Sequence, residues 1–202
     1  MLKLLASLFL IITLCTTQGA YAGPIKDGAV AYTRGDYATA LSLLRPLATQ
    51  GNADAQCLLG YMYRKGHGVP QDYKEAVRLF RLAAAQGLAD AQSPLGTMYR
   101  DGEGVPQDYK EAVRLYRLAA AQGHAWSQLN LGDMYDNGQG VLRDYVLAHM
   151  WYSVSASLVS RQDETFAINI RDKIVVKMTP AQIQQAQEMA RKCKASNFKN
   201  CD

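Results

Sequence analysis

Residues 52–87 and 88–123 are almost the same 36 amino acids written twice, agreeing at 29 of 36 positions. A third, worn copy occupies 124–159 and keeps 14 of 36 positions against its neighbour. A fixed period of this length marks one supersecondary unit stacked on itself, since no single unit can bury its apolar face alone. The contacts of such a chain run mostly between neighbouring units, and most of its conspicuous residues are architectural.

Within the second copy, Ala91, Leu95, Met98 and Tyr99 fall at i, i+4, i+7 and i+8, one stripe of an α-helix. Ala55, Leu59, Met62 and Tyr63 repeat it upstream, and Ser127, Leu131, Met134 and Tyr135 downstream. Gly60, Gly96 and Gly132 stand inside this A helix, where each costs about 1 kcal/mol relative to alanine. Three such glycines in register predict a close helix–helix approach. Pro94 also falls inside the second A helix, so that helix is either kinked or starts late.

A glycine turn follows: Gly66-His67-Gly68-Val69-Pro70, then Gly102-Glu103-Gly104-Val105-Pro106, then Gly138-Gln139-Gly140-Val141-Leu142. The valine reads as an apolar plug beneath the turn. The G-x-G follows a helix, not a strand, and lacks a third glycine, which argues against a phosphate loop. Asp72 and Asp108 sit three residues before Glu75 and Glu111, the spacing of an N-cap with a capping-box partner; Asp144 caps alone. The B helix then carries Ala76, Phe80, Ala83 and Ala84, matched by Ala112, Tyr116, Ala119 and Ala120, with Gly87 and Gly123 as C-caps. Each unit is therefore a helical hairpin with small residues along its seam.

Upstream, 26–33 and 36–48 read as a further hairpin joined by Arg34-Gly35, with Pro46 bending the last turn of its second helix. Downstream, 165–177 is amphipathic through Phe166, Ile170 and Ile174, and Thr179, Pro180 and Gln182 open another helix. The predicted organisation is 1–22 leader, 23–51 N-terminal hairpin, repeats at 52–87, 88–123 and 124–159, and capping helices with a tail over 160–202.

The leader rests on Met1-Leu2-Lys3, an apolar run from Leu4 to Leu14, and Ala20-Tyr21-Ala22 before Gly23. A cation, about a dozen apolar residues and an A-x-A site form a secretory signal peptide, here cleaved after Ala22. The run falls short of the ~20 residues a membrane helix needs. Leu14 stands before Cys15 where a lipoprotein would have a small residue. The reading is a periplasmic or secreted chain that does not span the membrane. Cleavage leaves 21 basic against 18 acidic residues, interspersed without blocks, so no nucleic-acid footprint stands out. Cys193 and Cys201 flank a short polar segment, and in an oxidising compartment a bridge there would close a small loop worth roughly 2–3 kcal/mol. Cys57 is then a free, partly buried thiol or an intermolecular or reactive one.

Gly-x-Gly-Val-Pro-x-Asp-Tyr, followed by Ala, Leu, an aromatic and Ala-Ala-x-x-Gly and preceded by Ala53-Asp54-Ala55-Gln56-Cys57-Leu58-Leu59-Gly60-Tyr61-Met62-Tyr63, resembles the Sel1-like repeats of the tetratricopeptide superfamily. The resemblance covers 52–159 and implies an all-α, right-handed α-solenoid with C-terminal capping helices, used as a non-catalytic adaptor or scaffold. It places a partner groove on the A helices. By register the groove positions are Asp54, Cys57, Tyr61 and Arg64, then Asp90, Ser93, Thr97 and Arg100, then Trp126, Leu129, Asp133 and Asp136. Of these, Tyr61, Arg64, Thr97, Arg100, Trp126 and Asp133 are the candidate partner-binding residues. The two close copies differ at 57/93, 61/97, 65/101 and 67/103, as a recognition surface would, although drift at solvated sites gives the same pattern.

Three function classes follow: an exported, monomeric scaffold for a protein or peptide partner; a periplasmic negative regulator of a membrane sensor; and a β-lactamase-like or cell-wall enzyme. The cysteine-rich subset of the family that carries such activity has a cysteine pair in each repeat, whereas Cys57 is followed by Ser93 and Leu129 in register. His67, His124 and His149 lack metal-ligand spacing, and no G-x-S-x-G or S-x-x-K nucleophile motif occurs. No cofactor or metal is expected.

Overall fold

A computed structural model describes residues 23–158, 161–199 and 201, all of whose regular secondary structure is α-helical. The leader, its cleavage site and Cys15 lie outside the described residues. Helix α1 covers 23–33. It is followed by α2 (Tyr37–Thr49), α3 (Ala53–Lys65), α4 (Tyr73–Ala85), α5 (Ala89–Asp101) and α6 (Tyr109–Ala120). The chain continues with α7 (Ala125–Asn137), α8 (Tyr145–Ala156), α9 (Arg161–Val175) and α10 (Pro180–Ala195). Consecutive helices pair as hairpins. Two compact units divide near the end of α4, one running to Ala83 and one starting at Ala84.

In the first unit, Ala40, Leu41, Leu44 and Leu47 of α2 pack with Ala55, Leu59 and Met62 of α3 and Leu79 of α4. The hairpin turn at Gly35 (φ 78°) is closed by the Gly35 and Asp36 amides donating to Tyr32 and Ala31 carbonyls. Pro46 does not end α2: the helix runs on to Thr49, and the Gln50 amide donates to Pro46 O at 3.1 Å.

In the second unit the core joins Tyr116, Leu131, Met134, Met150, Trp151 and Tyr152 to Ala167, Ile174, Ala186 and Ala190 of the last two helices. Helix α9 buries Ala167 and Ile174, while Phe166, expected on the apolar face, is half exposed. Thr179 closes a complete capping box with Gln182. Cys193 and Cys201 form a disulfide, both sulfurs sinking into this core, and Phe198 of the intervening loop packs against Gly123.

The repeat itself is built from the same local devices three times. Gly66, Gly102 and Gly138 end their A helices with φ of 71°, 72° and 68°, a region that L side chains resist. The amides of Asp72, Asp108 and Asp144 then donate back to the carbonyls of Tyr63, Tyr99 and Tyr135 at 2.9, 2.9 and 3.0 Å. Each aspartate caps the B helix, Asp72 Oδ1 accepting from Lys74 and Glu75 amides and Asp108 Oδ1 from the Glu111 amide. The expected reciprocal arm of the box does not form there, because the Asp72 and Asp108 amides are already donated to the tyrosine carbonyls, and Glu75 and Glu111 bind Arg78 and Arg114 bidentately instead. Past α6, the Gly123 and His124 amides donate to Ala120 and Ala119 carbonyls, a Schellman closure with Gly123 at φ 82°.

Pro94 is carried within α5, which starts at Ala89 just as α3 starts at Ala53. The late start does not occur. Leu88 offers no side-chain cap to α5, whereas Asn52 Oδ1 accepts from Ala55 and His124 Nδ1 from Ser127 in the other two copies.

Candidate functional site

The internal glycines of the A helices exist for the aromatic rings opposite them. A Cβ on Gly60 would lie 2.8 Å from Phe80 Cε1, one on Gly96 would lie 2.8 Å from Tyr116 Cε1, and one on Gly132 would collide with the Tyr152 ring. With the ring so close, the residue after each glycine has to meet its outer edge. Tyr61 meets Phe80 edge-on, with ring centroids 5.1 Å apart. Thr97 Oγ1 hydrogen-bonds the Tyr116 hydroxyl at 3.0 Å, and the Tyr152 hydroxyl donates to Asp133 Oδ1 at 2.7 Å. Thus the differences at 61/97 and 80/116 form matched pairs: a phenolic hydroxyl on the B helix is met by an oxygen on the A helix, and a bare ring by a ring. Burial raises the phenol pKa of both Tyr116 and Tyr152, which keeps each a neutral hydroxyl.

The predicted groove positions divide by exposure. Cys57, Ser93 and Leu129 are buried, so they form the inner wall and no part of an open surface; Cys57 is outside any disulfide. Asp54 and Asp90 are exposed, and Tyr61, Arg64, Thr97, Arg100, Asp133 and Asp136 are half-buried. Tyr61 and Arg64 belong to the first unit. In the second unit Arg100 and Asp133 come together at the turn end of α5 and α7, whereas Trp126, 48% exposed, lies two helical turns earlier, about 10 Å along α7.

Arg100 and Asp133 line a polar cleft of about 610 Å³ shared with Asp101, Gln107, Tyr109, Asn137 and Gln139. Arg100 is held by Asp101 through Nε at 2.7 Å and Nη2 at 3.1 Å, and reaches Asn130 Oδ1 through Nη1 at 3.2 Å. The Asp101 hydrogen bonds hold the guanidinium firmly protonated. Asp133 is pushed up from the ordinary carboxylate range by burial, against the Tyr152 hydrogen bond and the Arg100 charge. Asp136 beside it is paired with Lys177 Nζ at 3.1 Å. The cleft therefore presents fixed charges and amides.

The histidines have local duties. His67 stacks on Tyr37 at 4.5 Å, His124 caps α7, and buried His149 sits beside Ser153, with burial lowering the pKa of the latter two. Among the described residues no three His, Cys, Asp or Glu side chains gather to hold a metal ion. Nor is any described helix long and apolar enough to cross a membrane.

A role not read from the sequence belongs to the glutamine early in each A helix. Gln56, Gln92 and Gln128 donate from Nε2 to the carbonyls of Ala48, Ala84 and Ala120, each eight residues earlier, at 3.1, 3.4 and 3.1 Å. Each ties an A helix to the end of the helix before it. The signal was present in the sequence, a polar side chain kept in all three copies on an otherwise apolar stripe.

The profile of the Sel1 repeat family matches residues 53–88, 89–124 and 127–159, slightly more than half of the chain. No curated protein matches it. Among solved structures, the Sel1 repeat protein from Oxalobacter formigenes is 35% identical with a TM-score of 0.64, over 67% of this chain and 54% of that one. The protein c5321, a protective antigen present in uropathogenic Escherichia coli strains displaying an SLR fold, is 28% identical with a TM-score of 0.59, over 91% of this chain and 48% of its own. The chain spans about half the length of these two proteins. With three matched repeats, glycine-seated rings and glutamine ties recurring at a single period, the chain belongs to the Sel1 repeat family.

Proposed function

We propose that the chain is an exported, monomeric, non-catalytic adaptor that seats part of a partner protein on the A-helix side of its repeats. Sel1 repeat proteins generally mediate protein–protein interaction. The observation that carries the reading is the cleft at Arg100 and Asp133, where two successive A helices present fixed charges and amides around an open polar hollow. Export is supported by the leader ending in Ala20-Tyr21-Ala22, by the Cys193–Cys201 disulfide, which suits an oxidising compartment, and by likeness to a protective antigen.

The test is site-specific photo-crosslinking in cells. A photoreactive residue at Asn137, on the cleft, is expected to yield a discrete adduct identifiable by mass spectrometry. The same residue at exposed Lys110 on α6 is expected to yield none. Adducts at both positions, or only at Lys110, would remove the cleft from the partner interface.

A further inference from the structure

Position 133 breaks a pattern that the other two repeats keep. In register with it stand Tyr61 and Thr97, both neutral, and each already serves the ring opposite. The second repeat shows that a B-helix tyrosine needs no more than a hydroxyl as its partner. The third repeat carries the same tyrosine and answers it with a carboxylate. A carboxylate drawn out of water is unfavourable unless a cation offsets it.

Inside the cleft the offset is partial: the Tyr152 hydroxyl donates to Asp133 and the Arg100 charge favours it, but no cation is hydrogen-bonded to it among the described residues. Among the described residues lining the cleft, Arg100 alone is cationic, and its donors are directed to Asp101 and Asn130. The charge of neighbouring Asp136 is balanced by Lys177. After these pairings, Asp133 is the charge left over. The cleft amides point the same way. Asn137 donates its amide to Asp133 O at 2.9 Å, and Gln107 donates to Arg100 O at 2.7 Å. Each commits one amide N–H to a helix carbonyl and keeps its side-chain oxygen, with the second N–H, for a visitor. A surplus carboxylate with two amide acceptors suits a group rich in donors and positively charged.

We propose that Asp133 is the anchoring carboxylate for a lysine or arginine side chain presented by the protein segment that occupies the cleft. This rests on the adaptor reading above and adds the partner's chemistry to it. Thr97 and Tyr61 make the corresponding places in the other repeats indifferent to charge, so the preference belongs to the third repeat.

The test is an array of short extended peptides, degenerate except for one position fixed as Lys, Arg, Glu or Ala, probed with the mature chain. Wild type is expected to retain Lys and Arg peptides about tenfold above their Ala counterparts. Asp133→Thr, which installs the neutral partner already used at Thr97, is expected to reduce that preference to near parity while melting no lower than wild type. Asp133→Asn serves as the second variant, and the wild-type preference is informative without either. Peptide binding without a basic preference, or a preference that survives in both variants, overturns this inference and leaves the adaptor reading standing. Wild type retaining no peptide of any composition overturns both.

Discussion

Asp133 is held at an energetic disadvantage that its counterparts avoid. Burial raises its pKa, so the folded chain binds its proton more tightly than the unfolded chain does. Between the unfolded value, ~3.9, and the higher folded value, N therefore carries more protons than U, and stability falls as pH rises through that window. Asp133→Asn is expected to raise the melting temperature at neutral pH, and the gain should vanish once the medium is acidic enough to protonate the wild-type carboxyl; thermal melts across pH check both halves. The matched pairs give a second residue-scale expectation. Tyr116→Phe removes one of the two hydrogen bonds of Thr97 Oγ1, which still donates to Ser93 O, and should cost about 0.5–1.5 kcal/mol, while adding Thr97→Tyr rebuilds the Tyr61–Phe80 arrangement. A double-mutant cycle in denaturant is expected to show favourable coupling of about 0.5–1.5 kcal/mol, whereas simple additivity would dissolve the pair.

Helices join through one glutamine each. Gln128 is wholly buried and donates to Ala120 O, which also accepts from the Gly123 amide, so Gln128→Leu removes the side-chain tie between α6 and α7 while that carbonyl keeps its backbone partner. A loss of about 0.5–1.5 kcal/mol is expected, read by chemical denaturation, with hydrogen exchange quickening first at the α6–α7 joint. Element positions are legible in the sequence because they rest on local marks: Gly66 and Gly102 for the stop, Asp72 and Asp108 for the start, Pro180 after Thr179 for the last helix. What stayed hidden was non-local. Residues 97 and 116, or 133 and 152, face each other 19 positions apart, and in the sequence their substitutions look like independent drift. The groove register likewise misassigned Cys57, Ser93 and Leu129, since superfamily spacing gives a helix face but not how deeply the neighbouring helix covers it. The cleft was half visible: Arg100 and Asp133 were candidates and Asp101 stood out as a difference from Lys65, but Gln107 and Asn137 carried no signal that would bring them there.

At the scale of the molecule, the chain's end is fastened back onto its repeats. The disulfide loop places Phe198 against Gly123, and Asn197 and Phe198 both hold positive φ of 54° and 65°. Replacing Cys193 and Cys201 with serine is expected to lower stability by roughly 2–3 kcal/mol and to release exchange protection in the tail ahead of α7. The proposed export predicts cleavage after Ala22, so N-terminal sequencing of the chain recovered from cells is expected to begin at Gly23, and a start at Met1 would count against it. Between the ends, the three repeats are assembled from parts supplied at the same offsets: a glutamine reaching back eight residues, an aspartate amide returning to a tyrosine carbonyl, a ring seated on a glycine. A gene segment lost or duplicated in a step of 36 codons leaves all of those offsets intact, so the units on either side of the change still meet through the same parts.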